Sequence, residues 1–369
     1  MNRWYRIIVI FICLCVSFDL YAWSWPWSWS KKSILSAPIQ VDPSIFPLKL
    51  PKIDRMPPPD PIDKGKLNSI PVYDQSNKAV FQIDLRGADL SGLNLECSID
   101  DLVFASFDDR TEWPNVDNMP ALFNPNSIRQ YGMEPGLNIE NLHSQGITGN
   151  GISIAIIDQP LLVGNQEYSK QLQLYEEVNI DPNSGASMHG AAVASIAVGK
   201  NVGVAPDARL FFIGTSTFDS EDMGNCKYPN GGEMPSRHFK YYARAINRLL
   251  EINKLLPSDQ KIKVLSMSIG WSDSQCDKET DLFKEAIENA KQNGIFVIFS
   301  SIEKVYGSKF KFHGLGRLPL ANSMGFSSYE PGLFWEDKFY EEISSGSYLY
   351  DRLLIPMDSR TVASQGGDD

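Results

Sequence analysis

From Gly146 onward the chain alternates short apolar runs with stretches of helical period. Residues 152–157 are nearly continuous apolar residues, the pattern of a strand buried on both faces. Residues 189–198 are mostly Ala, Ile and Val and stop at Gly199, as a helix of small residues would. Residues 208–213 read as a second strand. Residues 239–256 carry Tyr242, Ala245, Ile246, Leu249 and Leu250 at helical spacing and halt before Pro257. A strand at 264–269, a helix at 281–292 with Gly294 just past its end, and a strand at 295–299 follow. This alternation predicts an α/β fold, a parallel sheet with helices on both faces. In such sheets reactive groups gather at the carboxyl ends of the strands.

The first 150 residues follow other patterns. Arg3 and Arg6 precede an apolar run at 7–18 and then Ala22, the layout of a secretory signal peptide over residues 1–22. The run is shorter than the roughly 20 apolar residues of a spanning helix. An uncleaved anchor is the rival reading, since Leu20 stands where a smaller residue is usual. Export to the periplasm, cell envelope or medium is the expectation. Trp23, Trp25, Trp27 and Trp29 then alternate with small residues. They either belong to a loose export leader or pack on the domain, or they seat in a membrane interface or grip a partner. Residues 38–61 hold eight prolines, so 23–63 reads as a Trp-rich and Pro-rich extended linker. Residues 64–130 read as an accessory or propeptide-like region. Within it Ala88-Asp-Leu-Ser-Gly-Leu-Asn-Leu95 echoes two pentapeptide-repeat units, too few for a self-supporting solenoid.

Composition narrows the function classes. With 43% hydrophobic residues the chain is globular, and its net charge of −11 gives phosphate backbones no general attraction. Nucleic acid is therefore excluded as the expected partner. Removal of residues 1–22 would leave Cys97, Cys226 and Cys276. In an exported chain Cys226 and Cys276, both in polar surroundings, form the candidate disulfide and Cys97 is left over. No Cys-x-x-Cys pair or His/Cys cluster points to zinc.

Two residues carry the chemistry. Asp158 ends the apolar strand Ile154-Ala-Ile-Ile-Asp158, where a carboxylate can hold an imidazole in one tautomer and balance its charge. His189 opens the small-residue helix, and Gly190 and the alanines would let that helix approach the sheet. Taken singly, a strand-end Asp can merely cap a loop, and a lone His is commonly structural.

Gly146-Ile-Thr-Gly-Asn-Gly-Ile-Ser-Ile-Ala-Ile-Ile-Asp158 resembles the Asp motif of the subtilisin-like serine proteases. Met188-His189-Gly190, leading to Val202-Gly-Val-Ala-Pro-Asp207-Ala, resembles their His motif and the strand after it. Val264-Leu-Ser-Met-Ser268-Ile-Gly270 is similar to their substrate-cleft strand. The resemblance covers roughly residues 140–300. It implies a subtilisin-like peptidase domain at 131–369 and a catalytic pair, Asp158 and His189. It also implies that backbone at Ser268, Ile269 and Gly270 pairs with an extended polypeptide substrate. Calcium is common in the family, but no ligand cluster for it is evident and no other cofactor is implied.

The sequence departs from the family twice. No Asn follows the strand Gly294-Ile-Phe-Val-Ile-Phe-Ser300-Ser301, where the family's oxyanion donor stands; Ser300 and Ser301 are the substitutes at hand, or simply a polar strand end. Losing one such donor costs about 3 kcal/mol in a subtilisin. In addition, no Gly-x-Ser-x-x-x-Pro-like nucleophile segment follows His189. Leu353-Leu-Ile-Pro356-Met-Asp-Ser359-Arg-Thr-Val-Ala-Ser364 looks like the strand that precedes it, and neither Ser359 nor Ser364 has a helix-start context. The expectation is a peptidase domain truncated before its Ser segment, with negligible activity of its own. The alternatives are an inactive homologue that binds peptides or an envelope partner, and an interaction protein acting through its Trp-rich and Pro-rich stretch.

Overall fold

The computed structural model describes residues 52–77, 81–222, 224–227, 233–271, 274–300, 302–307, 310, 312–331 and 353–367. The signal-peptide reading, Trp23 to Trp29, most of the linker and Ser301 lie outside the described residues.

Six parallel strands form the central sheet: β1 (Lys52–Ile53), β2 (Ser153–Asp158), β3 (Leu172–Val178), β4 (Arg209–Thr215), β5 (Ile262–Met267) and β6 (Phe296–Phe299), in the spatial order β1-β3-β4-β2-β5-β6. Helix α1 (Met188–Val198) lies between β3 and β4 in sequence, α2 (Lys240–Leu255) between β4 and β5, and α3 (Thr280–Gln292) between β5 and β6. Each element predicted after Gly146 is present, with ends moved by a residue or two. The strand β3 is an addition that the apolar pattern did not announce.

Both faces of the strands are buried. Ile156, Leu210 and Phe212 pack with Ala191, Ala194 and Val198 of α1. The alternate residues Ala155, Ile157, Phe211 and Ile213 are equally buried, and α2 packs on the same strands. A period of two along each strand therefore meets a helix above and a helix below, as an α/β sheet requires. On α2 the residues at helical spacing, Tyr242, Ala245, Ile246 and Leu249, are the buried ones. Phe239 and Tyr242 join Trp271, Phe283 and Phe299 in an aromatic cluster between α2, α3 and the end of β6.

Residues 52–60 do not behave as a free linker. Lys52–Ile53 pairs with β3, the Asp54 amide donates to the Tyr175 carbonyl, and Arg55 grips the Glu177 carboxylate through Nε (2.7 Å) and Nη2 (2.8 Å). The prolines that follow cannot donate, but the Pro58 carbonyl accepts from the Ala186 amide at 2.9 Å. Composition announced an extended backbone here; the partner that holds it lies far along the chain.

The repeat echo also reads differently in three dimensions. Gly65–Lys66 pairs in parallel with Ala88–Asp89, Asp89 bridges onward to Glu112, and Ile83–Asp84 pairs in parallel with Ala105–Ser106. These short rungs wind a small solenoid-like coil whose inward residues include Ile83, Leu85, Ala88, Leu90, Leu95 and Leu102. Two units alone would leave that core open. It is closed by Phe107, Trp113 and Phe123, whose rings meet edge-on or tilted, and by Ile128 from the helix Pro125–Met133.

Farther on, Phe312–Arg317 pairs with Tyr329–Pro331 and with Leu353–Pro356, so of the strand-like segment 353–364 only the first four residues form a strand, and they do so in a separate three-stranded sheet. Cys226 and Cys276 are joined, with Cα atoms 5.7 Å apart, and Cys97 is free and exposed.

Candidate functional site

Asp158 is the last residue of β2, and its register partners place the ends of β5 and β6 at the same level. The carboxyl edge of the sheet thus brings together Asp158, the segment Ser268, Ile269 and Gly270 after β5, and Ser300 after β6. His189 reaches this edge from the first turn of α1. The helix begins here because the Ser187 hydroxyl caps it, accepting from the His189 amide at 3.2 Å.

The approach of α1 to β2 depends on one missing side chain. A Cβ on Gly190 would stand 2.5 Å from the Gln159 carbonyl oxygen and 2.8 Å from that of Pro160. With a proton there instead, the Ser187 amide donates to the Pro160 carbonyl at 2.8 Å. The His189 Nδ1 and the Asp158 Oδ1 then meet at 2.5 Å. The Asp158 side chain is 3% exposed and that of His189 42% exposed.

A carboxylate can only accept, so the bond puts the ring proton on Nδ1 and leaves the Nε2 lone pair free to act as a base. The Gln159 amide donates to the same Asp158 oxygen at 2.7 Å and helps to fix the carboxylate. The hydrogen bond from Asp158 raises the His189 pKa above that of an ordinary histidine; partial burial opposes this, and the Asp158 charge adds to it. Tyr242 lies within the field of Asp158. Burial first, and then that charge, push its hydroxyl up.

The remaining expected residues fall into two groups. Ser268 is exposed and Ile269 and Gly270 are half-buried, leaving an accessible backbone segment past the end of β5. The Ile269 carbonyl accepts from the Ser300 amide at 3.1 Å, which ties this segment to the end of β6 and commits the Ser300 N–H. The Ser300 side chain is exposed. Ser359 and Ser364 are not brought to His189. The Ser359 hydroxyl donates to the Arg317 carbonyl at 2.6 Å, and the Ser364 hydroxyl accepts from the Gly366 amide at 2.9 Å. Among the described residues no serine hydroxyl is bonded to the His189 ring, and no group of three or more His, Cys, Asp and Glu could hold a metal ion.

Sequence reasoning passed over Gln159 and Ser187. The Ser187 hydroxyl donates to the Gln159 side-chain carbonyl while it caps α1. The cap was legible, because a serine just before an apolar helical run is an N-terminus signal. The partner was not, because 28 residues separate the two.

Residues 149–306 match the family model Peptidase_S8, the Subtilase family. No curated protein matches the chain. Among solved structures it is similar to a prenylagaramide maturation protease, PagA, at 18% identity over 44% of this chain and 50% of that one, with a TM-score of 0.30. It is also similar to the PatG macrocyclase in complex with peptide, at 15% identity over 44% and 55% with a TM-score of 0.30. A lanthipeptide protease matches at 16% identity over 46% and 43%, with a TM-score of 0.29. The chain thus spans about half the length of these structures. The family match runs through Asp158, His189, Ser268, Ile269 and Gly270, and over residues 149–306 the chain is similar to the subtilase family.

Proposed function

We propose that the chain is the acid–base part of an exported subtilisin-like serine endopeptidase that cuts extended polypeptides. The observation that carries this reading is the 2.5 Å bond between a buried Asp158 and a half-exposed His189 within the family-matched segment. Asp158 orients the ring and balances the charge it acquires; the Nε2 of His189 takes the proton from an attacking hydroxyl and returns it to the leaving amine. The backbone at Ser268, Ile269 and Gly270 offers an accessible edge against which a substrate strand can lie. Export is supported by the Arg3 and Arg6 pattern before an apolar run, and by the closed Cys226–Cys276 pair, which suits an oxidising compartment.

The nucleophile is a serine that the described residues do not place beside His189. With no Gly-x-Ser-x-x-x-Pro-like segment after His189 and no described serine at its ring, the expected turnover is negligible, because Asp and His only activate a hydroxyl; loss of the nucleophile costs about 10⁶ in kcat in a subtilisin. Purified chain incubated with casein is expected to release no peptide above background. Hydrolysis that a serine-directed phosphonate abolishes would overturn this.

A second reading is an inactive homologue that binds peptides without cutting them. Two observations favour it: the hydroxyls of Ser359 and Ser364 are committed elsewhere, and the Ser300 amide already donates to Ile269. A labelled peptide library that binds the chain and is released intact, even from protein isolated from its natural source, would select this reading.

A further inference from the structure

The catalytic pair sits on two elements distant in sequence, the end of β2 and the start of α1, so something must hold those two ends in register. Outside the Asp158–His189 bond itself, two contacts bridge the ends and two more brace them locally, one at each end. The Ser187 hydroxyl donates to the Gln159 side-chain oxygen, and the same hydroxyl accepts from the His189 amide at 3.2 Å. The Ser187 amide donates to the Pro160 carbonyl at 2.8 Å, and the Gln159 amide donates to Asp158 Oδ1 at 2.7 Å. Gly190 lets the backbones close to this distance.

The Gln159 side chain is unusual among these parts. It is exposed and lies immediately after the carboxylate, and its hydrogen bond reaches the residue that caps the His189 helix. A helix cap alone needs only the serine oxygen as acceptor; the hydroxyl proton is left over. Here that proton is committed to Gln159, which fixes the hydroxyl rotor with its lone pairs toward the His189 amide. The two bonds form one path from the residue beside Asp158 to the backbone of His189.

We infer that Gln159 and Ser187 are positioning residues, a side-chain clasp that holds the His189 imidazole on Asp158. The clasp acts through the backbone of His189 and touches no reacting atom. It rests on the proposed role of Asp158 and His189, and it adds a device that sets how firmly the ring is held. Loosening it lets α1 shift against β2, lengthens the 2.5 Å bond, and removes part of what keeps the ring protonated.

The test uses the full chain, with no need for turnover. The sequence has four histidines, so ring-labelled histidine gives four imidazoles, and His189 is identified by its loss in His189→Ala. Two quantities are read by NMR: the apparent pKa of His189, and the low-field resonance of its Nδ1 proton. Gln159→Ala and Ser187→Ala are each expected to lower the pKa by about half a unit, a threefold weaker proton affinity, and to broaden the low-field resonance. Ser187→Thr, which keeps a hydroxyl that both donates and accepts, restores both signals. A purely structural role for the pair would lower the melting midpoint and leave the His189 signals in place.

The inference is overturned if both alanine variants titrate like the parent, or if Ser187→Ala shifts the pKa and Gln159→Ala does not, since capping alone would then suffice. Asp158→Asn separates this failure from that of the underlying reading. If the parent and Asp158→Asn give the same His189 pKa, the Asp158–His189 pair itself is absent in solution, and both claims fall.

Discussion

At the His189 ring a proton is held to higher pH than on an ordinary histidine, so the ring becomes available as a base only as pH rises through that raised value. A second proton is displaced at Glu134, at the end of the helix Pro125–Met133. Burial, and then the hydrogen bond shared with the Glu140 carboxyl, push Glu134 up from its ordinary 4.5 to about 7, against the nearby Arg360. The folded chain thus keeps a proton that the unfolded chain releases near pH 4.5. This contribution to stability is whole below pH 4.5 and is lost as pH rises through about 7. Glu134→Gln, which stays neutral throughout, should make the melting midpoint decline less between those two values, as scanning calorimetry across that range would show. A slope equal to the parent's would contradict the assignment. Asp158 and His189 were legible because each stands where a strand or a helix announces its own end. Glu134 was not, because its partner belongs to the next helix, Ile139–Ser144, and burial is not written in local sequence.

Among the elements, those with a pure apolar signal were legible, and β3 shows why others were not. It reads Leu-Gln-Leu-Tyr-Glu-Glu-Val, and the polar residues break the run. Glu176 is nonetheless buried, because Arg248 from α2 binds its carboxylate at 2.7 and 3.0 Å and Lys52 from β1 at 2.9 Å. A buried charge paid for by partners 72 and 124 residues away leaves no trace in the local pattern. The solenoid-like coil was likewise underread, since its closing aromatic residues lie outside the repeat echo. Helix α1 yields the prediction proper to this scale. Gly190→Ala puts a methyl group 2.5 Å from a backbone oxygen that cannot rotate away, so α1 must move. The cost should be about 1–3 kcal/mol, read as a lower midpoint in urea unfolding. An unchanged midpoint would show that the helix does not pack as closely as described.

Over the whole molecule, segments far apart in the chain converge on the carboxyl edge of the sheet that carries Asp158 and His189. Residues 52–60 run along β3 and end beside the loop that leads to His189: Arg55 donates to the Ser184 carbonyl at 2.7 Å, and Pro58 accepts from Ala186. The Asp60 amide in turn donates to the Gln365 carbonyl, and the Ala363 amide donates to the Ser195 hydroxyl inside α1. The His189 helix is therefore held from β2, from residues 52–60 and from residues 360–367, which fixes the ring that the proposed function uses as a base. The central claim is that Asp158 and His189 serve a serine. It is tested most directly by fluorophosphonate labelling of the protein isolated from its natural source, beside its His189→Ala variant, with the labelled residue identified by mass spectrometry. The account predicts a single labelled serine outside the described residues, and a labelling rate that falls by several orders of magnitude, on the order of 10⁴ or more, when His189 is replaced. No labelling, or labelling that is undiminished in the variant, would contradict it.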